Sequence, residues 1–148
     1  MPQNLLFNTK TVRVMNAVAA GTSNQNGSVV DTQGYEGVMF VASFGALTAT
    51  QVTGLKAQQG LVSDGSDMAD LAGSATGPMG DADGNKTLVL DVFKPMERYV
   101  RPVITRSVAN AVIDGVVAIL YRAKQAPTTQ DTTVKASKQV ASPAEGTA

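Results

Sequence analysis

The chain has 148 residues, enough for one domain of ordinary size. Lys plus Arg number 12 and Asp plus Glu 12, so the net charge is zero and offers nothing to attract nucleic acid, an anionic membrane or a polycationic partner. With no His and no Cys, the commonest general base, the commonest thiol nucleophile, disulfides and thiolate metal sites are all excluded.

Residues 1 to 10 form an N-terminal arm with no basic segment leading into an apolar run. No stretch of the chain approaches the roughly 18 apolar residues of a membrane span, so the expectation is a soluble protein made without a secretion signal. The Val12/Val14 alternation opens a strand over residues 11 to 20. Residues 21 to 28 are dense in turn formers, with Asn26-Gly27 favoured where a tight turn needs positive φ, and read as a loop between strands. Val29 to Asp31 is a short strand. Val38 to Phe44 is an apolar run bounded by glycine and short enough for a central strand. After a turn at Gly45-Ala46, Thr48, Thr50 and Val52 share one side of a further strand running to Gln59.

Residues 60 to 85 break this pattern. They hold Gly60, Gly65, Gly73, Gly77, Gly80, Gly84 and Pro78, and their charges are all acidic: Asp64, Asp67, Asp70, Asp81 and Asp83. A loop this long inside a compact domain is usually functional or an assembly contact. Ser66 is positioned to cap a single helical turn through Leu71 that ends at Gly73. Asp81-Ala-Asp83-Gly84-Asn85 invites a calcium reading, but its glycine falls two places early and its twelfth position is Val92 rather than Glu, so a β-turn is expected and no metal.

Three strands follow, at 87 to 93, 98 to 106 and 112 to 121. Pro102 cannot donate a ladder hydrogen bond, which places its strand at an edge or a bulge. From Lys124 the sequence is polar and aperiodic, and a flexible tail over residues 124 to 148 is expected. Short strands, Gly-rich turns and the lack of a long amphipathic helix indicate an all-β chain: an antiparallel β-sandwich over residues 11 to 123, with a jelly roll as first choice.

Catalysis finds little support, since no Gly-x-Ser-x-Gly elbow, Ser-x-x-Lys pair, Walker loop or Gly-x-Gly-x-x-Gly occurs. A non-enzymatic binding role with no cofactor is the expectation. Residues 86 to 124 hold seven bases against three acids, so the chain is acidic in its long loop and basic in its last strands. That separation suits salt links within or between subunits, and Asp64, Asp67, Asp70, Arg98, Arg101 and Arg106 are the candidate interface residues. At least one of Arg98 and Arg101 is expected to pair with a carboxylate across a strand or subunit boundary. Charged residues are only 16% of the chain, and so weakly charged a surface is easier to tolerate when an assembly covers it.

Three stretches carry a resemblance: Asp31-Thr-Gln-Gly34-Tyr35-Glu36-Gly37-Val-Met-Phe40, then Leu90-Asp91-Val-Phe-Lys-Pro95-Met-Glu-Arg98-Tyr99-Val100-Arg101, and Asn110-Ala-Val-Ile-Asp114-Gly115-Val-Val-Ala-Ile-Leu-Tyr121. Their order and spacing resemble the small β-sandwich cement proteins that decorate the heads of tailed bacteriophages, over residues 11 to 127. The resemblance implies a jelly-roll-like sandwich and no catalytic residue. It also implies a place on the capsid surface of a virion, after synthesis in the host cytoplasm, and a major capsid protein as partner. A homo-oligomer, dimer or trimer, is expected at a lattice symmetry axis, with no nucleic acid or membrane partner. The competing classes are a head-tail connector or tail component, and a carbohydrate-binding sandwich, which would want aromatic platforms from a chain without Trp.

Overall fold

A computed structural model describes residues 4–148; the first three residues of the expected arm lie outside the described residues. Asn4 caps a single helical turn, α1 (Leu5–Asn8), by accepting from the Phe7 N–H at 2.9 Å. Everything regular after it is strand: β1 (Lys10–Met15), β2 (Val18–Gly21), β3 (Gln25–Asn26), β4 (Val30–Asp31), β5 (Gly37–Leu47), β6 (Val52–Gly60), β7 (Ala69–Asp70), β8 (Thr87–Phe93), β9 (Tyr99–Ser107) and β10 (Ala111–Tyr121).

The strands form two antiparallel sheets, as expected for an all-β sandwich. One runs β1-β10-β5-β8, with β2 also on β10, and the other runs β3-β9-β6-β7, with β4 also on β9. Alternation explains the core between them. Val38, Phe40, Ala42 and Phe44 of β5 and Val116, Ala118 and Leu120 of β10 face Leu55 and Ala57 of β6 and Val100 and Ile104 of β9, all essentially sealed from solvent. Each large side chain so buried contributes about 1.5–3 kcal/mol.

Several boundaries differ from the sequence reading, each for a local reason. The strand expected over 11 to 20 is split in two, because the β1–β10 register shifts between Arg13 and Met15. Asn26-Gly27 makes no hairpin turn; Gln25 and Asn26 pair with Ile104 and Val103 as a short strand. The turn expected at Gly45-Ala46 lies at Thr48 to Gln51, where Thr50 takes φ 72° and the Gln51 N–H donates to the Thr48 carbonyl. Pro102 sits inside its sheet, not at an edge, because β9 pairs with β6 on one side and with β3 and β4 on the other. The strand beside it is interrupted instead: between β3 and β4 the chain crosses Pro102 at Gly27, whose N–H reaches the Pro102 carbonyl at 2.8 Å.

The 60 to 85 stretch is laid along the outer edge of β6. Gln58 and Gln59 pair with β7, the Leu71 N–H reaches the Ala57 carbonyl, Leu55 bridges Thr76, and the Met79 N–H reaches the Thr53 carbonyl. Met79 is buried and Leu71 packs on the core. The helical turn expected at Ser66 to Leu71 does not form, since the Asp67 carboxylate turns back to accept from the Leu61 and Val62 N–H groups and Ala69-Asp70 joins the sheet. At 81 to 85 the expected turn is present: Asp83 accepts from the Gly80 N–H at 2.7 Å and from Lys86 at 2.8 Å, while Asp81 accepts from the Thr50 N–H.

After Tyr121 no strand follows, but residues 128 to 133 are tied back to the first sheet. Gln130 Oε1 accepts from the Thr11 N–H at 2.8 Å, Thr133 Oγ1 accepts from the Arg13 N–H at 2.9 Å, and the Thr128 N–H donates to the Phe7 carbonyl. Polar composition alone does not reveal that these side chains fit the unpaired donors of an edge strand.

Candidate interaction surface

The three stretches that carry the resemblance meet at one end of the sandwich. Gly37 pairs with Phe93 on one side and Tyr121 on the other, and Asp31 and Gly60 both pair with Tyr99. Backbone bonds knit the three together: Thr32 N–H to the Arg98 carbonyl, Glu36 N–H to the Tyr121 carbonyl, Lys94 N–H to the Glu36 carbonyl and Lys124 N–H to the Gly34 carbonyl.

On the outer face of the first sheet, Gly37 leaves a gap between β10 and β8 that aromatic rings fill. The Tyr121 ring covers it, and the Phe93 ring stacks beside Tyr121 at 6.5 Å with 9° between planes. Lys94 and Arg122 lie 5.2 Å and 6.0 Å from the centre of the Phe93 ring. The Tyr121 hydroxyl donates to Asp91 Oδ1 at 2.6 Å. Burial first, and then that bond to a carboxylate, push the Tyr121 hydroxyl up to about 12. Tyr35 is raised by burial alone.

Two charged pairs lie at the same end. Arg98 grips Asp31 as a fork, Nε to Oδ1 and Nη2 to Oδ2, both at 2.8 Å. This is the carboxylate partner expected for one of the two arginines, and it lies across a strand boundary within the chain. The fork holds the Asp31 carboxyl below its ordinary range, helped by the Gln33 N–H, and raises Arg98 in turn. Arg122 pairs with Glu36 at 2.9 Å. Large apolar side chains stand in solvent on the segments that reach this end: Met96 is 92% exposed, Phe93 51%, and Leu61, next to Gly60, 68%. A cleft of about 470 Å³ opens on one side of the Gln33–Tyr35 turn, continuing to Lys124 and Pro127, and another of about 280 Å³ lies toward Pro95 and Arg98.

The remaining sequence candidates fall in different places. Arg101 donates to the Gln58 side-chain oxygen at 2.8 Å rather than to a carboxylate. Asp64 is a turn residue, its carboxyl lowered by the Ser66 N–H and hydroxyl, and Asp67 is the loop staple described above. Asp70 accepts from Lys56 and Gln58, both at 2.8 Å, and is lowered by them. Arg106 corrects the expectation of an interface role: it is only 4% exposed, with Nε on the Ser23 carbonyl and Nη1 on the carbonyls of Ala19 and Ala111. It ties loop, β2 and β10 together from inside and presents nothing to a partner.

Sequence reasoning missed Phe93, Met96 and Tyr121 as a surface group. The signal lies in the registers that put Gly37 between the two rings, which no local pattern contains. No protein-family model matches the chain, and no curated protein matches it.

Proposed function

We propose that the protein is a non-catalytic structural component of a phage virion, binding neighbouring major capsid subunits on the shell and clamping them together. The observation that carries this reading is the end of the sandwich just described. Exposed Met96 and Phe93 and the ion pairs Asp31–Arg98 and Glu36–Arg122 lie where the three stretches converge, and exposed Leu61 follows Gly60, which pairs with Tyr99 there, so this end offers both apolar and charged groups to a protein partner. The same residues fall within or beside the stretches whose spacing resembles phage cement proteins, and the jelly-roll form of the sandwich belongs to that reading. Low charge across the chain favours a surface covered in its working state.

A clamp needs only modest affinity per contact, because holding one subunit raises the local concentration of the next. Its binding then stabilises the shell in proportion to occupancy. The test uses particles stripped of the protein. Added wild type is expected to restore the rupture temperature, while a Leu61→Asp, Met96→Asp double variant, altered only at exposed side chains, is expected to bind poorly and restore little. Density across the whole shell supports the clamp. Density at a single vertex, with failed tail attachment and unchanged rupture temperature, favours the connector.

A further inference from the structure

The two long edges of the first sheet are finished differently. On β1, Thr11 and Arg13 turn their N–H groups outward, and tail side chains satisfy both. On β8 nothing does. Hydrogen-bonding direction alternates along each strand and passes from strand to strand by register. If Thr11 and Arg13 face the tail, Lys10 and Val12 bond to Leu120 and Ala118 of β10, and Ile119 and Tyr121 bond to Met39 and Gly37 of β5. Then Val38, Phe40 and Ala42 bond to Val92, Leu90 and Leu88 of β8. The Phe44 N–H to Lys86 carbonyl bond continues the same alternation. Thr87, Val89, Asp91 and Phe93 are therefore left with N–H and C=O directed away from the sheet, and no backbone partner for them exists among the described residues.

This edge also lacks the devices that normally keep an edge strand single. Between Thr87 and Phe93 there is no Pro, no Lys and no bulge, and the one charge, Asp91, is held by the Tyr121 hydroxyl. Val89 is 50% exposed and Phe93 51%, while Leu88, Leu90 and Val92 are only partly covered.

We infer that β8 pairs with β8 of a second copy of this chain, antiparallel about a two-fold axis through Leu90, joining two sheets into one. Self-pairing is selected by register. Centring on Leu90 sets Thr87 against Phe93 and Val89 against Asp91 of the other copy, so that every outward group of both strands is bonded. On the inner face it sets Leu88 against Val92 and Leu90 against itself, extending each core. A centre at Asp91 would oppose two carboxylates, and one at Val89 would leave Phe93 facing Asn85, which has left the strand at φ 63°. Lys86 and Lys94 meet at the ends, but Lys86 is drawn to Asp83 at 2.8 Å and Lys94 lies over Phe93. Zero net charge adds no long-range repulsion between copies. This pairing belongs to the free chain and stands whether or not a capsid is its partner.

The test is the oligomeric state of the full chain by sedimentation, with wild type expected to be dimeric. Val89→Pro removes one outward N–H and no bond to β5, so it is expected to raise the dimer dissociation constant about tenfold or more while keeping the strand signal in circular dichroism. The chain has no cysteine, so a single Leu90→Cys provides a second, independent reading. Across the axis its Cα would lie about 4.5 Å from its copy, within the range a disulfide needs. Oxidised glutathione, as electron acceptor, should link the Leu90→Cys pair and leave Val108→Cys, on the distant β9–β10 turn, unlinked. A wild type that sediments as a monomer at every concentration overturns the inference and leaves the edge to a strand of another protein. So does a dimer that Val89→Pro leaves intact and Leu90→Cys fails to link.

Discussion

Tyr121 lies flat against the bare backbone of Gly37, so close that a β-carbon on Gly37 would overlap the phenol ring. Gly37→Ala should therefore expel the ring, part the Phe93 stack and break the bond to Asp91. Overpacking of this kind costs about 1–3 kcal/mol. A double-mutant cycle in urea separates clash from propensity: in a Tyr121→Ala background the Gly37→Ala cost should largely vanish. An equal cost in both backgrounds would mean that the ring is not what Gly37 accommodates.

The same hydroxyl gives a pH dependence at the alkaline end. Its folded value, about 12, stands above the usual value near 10, so the folded state holds the proton more tightly than the unfolded state. The resulting stability is complete below pH 10 and is lost as pH rises through about 12. Tyr121→Phe should flatten that alkaline loss, and absorbance titration should show one tyrosine fewer ionising late.

At the acid end the sign reverses. Asp31 is lowered from its ordinary 3.8 by the Arg98 fork, so its contribution is present above that value and disappears as pH falls through the lower folded value. Asp31→Asn should remove this part of the acid unfolding transition. Arg98→Lys, which keeps the charge but not the fork, should retain only some of it. Both groups are nearly half exposed, 45% and 46%, so the effect should be small and should shrink with added salt. Insensitivity to salt would point to the hydrogen-bond geometry alone.

Which parts of this architecture could be read from the chain follows from the range of the interactions. β8 was found at its true boundaries, because Leu88, Leu90 and Val92 alternate with outward residues and the period-two signal is local. Residues 60 to 85 gave no such signal. Their pairing with β6 uses Asp70, Leu71, Thr76 and Met79, at intervals set by glycine turns and not by any period. Pro102 was misplaced for a related reason: the accommodation lies in Gly27, where an added Cβ would come within 2.6 Å of the proline ring. Arg106 was legible and overlooked. It shares the inward parity of Val100, Pro102 and Ile104 on β9, and the alternation alone would have placed it inside.

That placement makes Arg106 the residue whose loss should be felt most. Arg106→Ala strands the carbonyls of Ala19, Ser23 and Ala111, at about 1–3 kcal/mol for each one left without a partner. A loss of at least about 2 kcal/mol in urea unfolding is expected, with Arg106→Lys intermediate because one ammonium cannot reproduce the planar set of donors. Unchanged stability in Arg106→Ala would show that water replaces the guanidinium freely.

The tail offers a prediction resolved to single amides. The Thr11 and Arg13 N–H groups are bonded only through Gln130 and Thr133, and those side chains are held by bonds from Gln130 to the Thr9 carbonyl at 2.9 Å and from Thr133 to Asp131 at 2.8 Å. An edge amide protected by a side chain should open with the segment that carries it, independently of global unfolding. Truncation after Gln125 should therefore speed hydrogen exchange at Thr11 and Arg13 while leaving Lys10 and Val12, which face β10, protected. Truncation after Val134 removes only exposed residues and should change neither. Gln130→Ala should expose Thr11 and spare Arg13, and Thr133→Ala the reverse. If full-length protein already exchanges Thr11 and Arg13 as fast as the truncated chain, the tail does not hold this edge in solution.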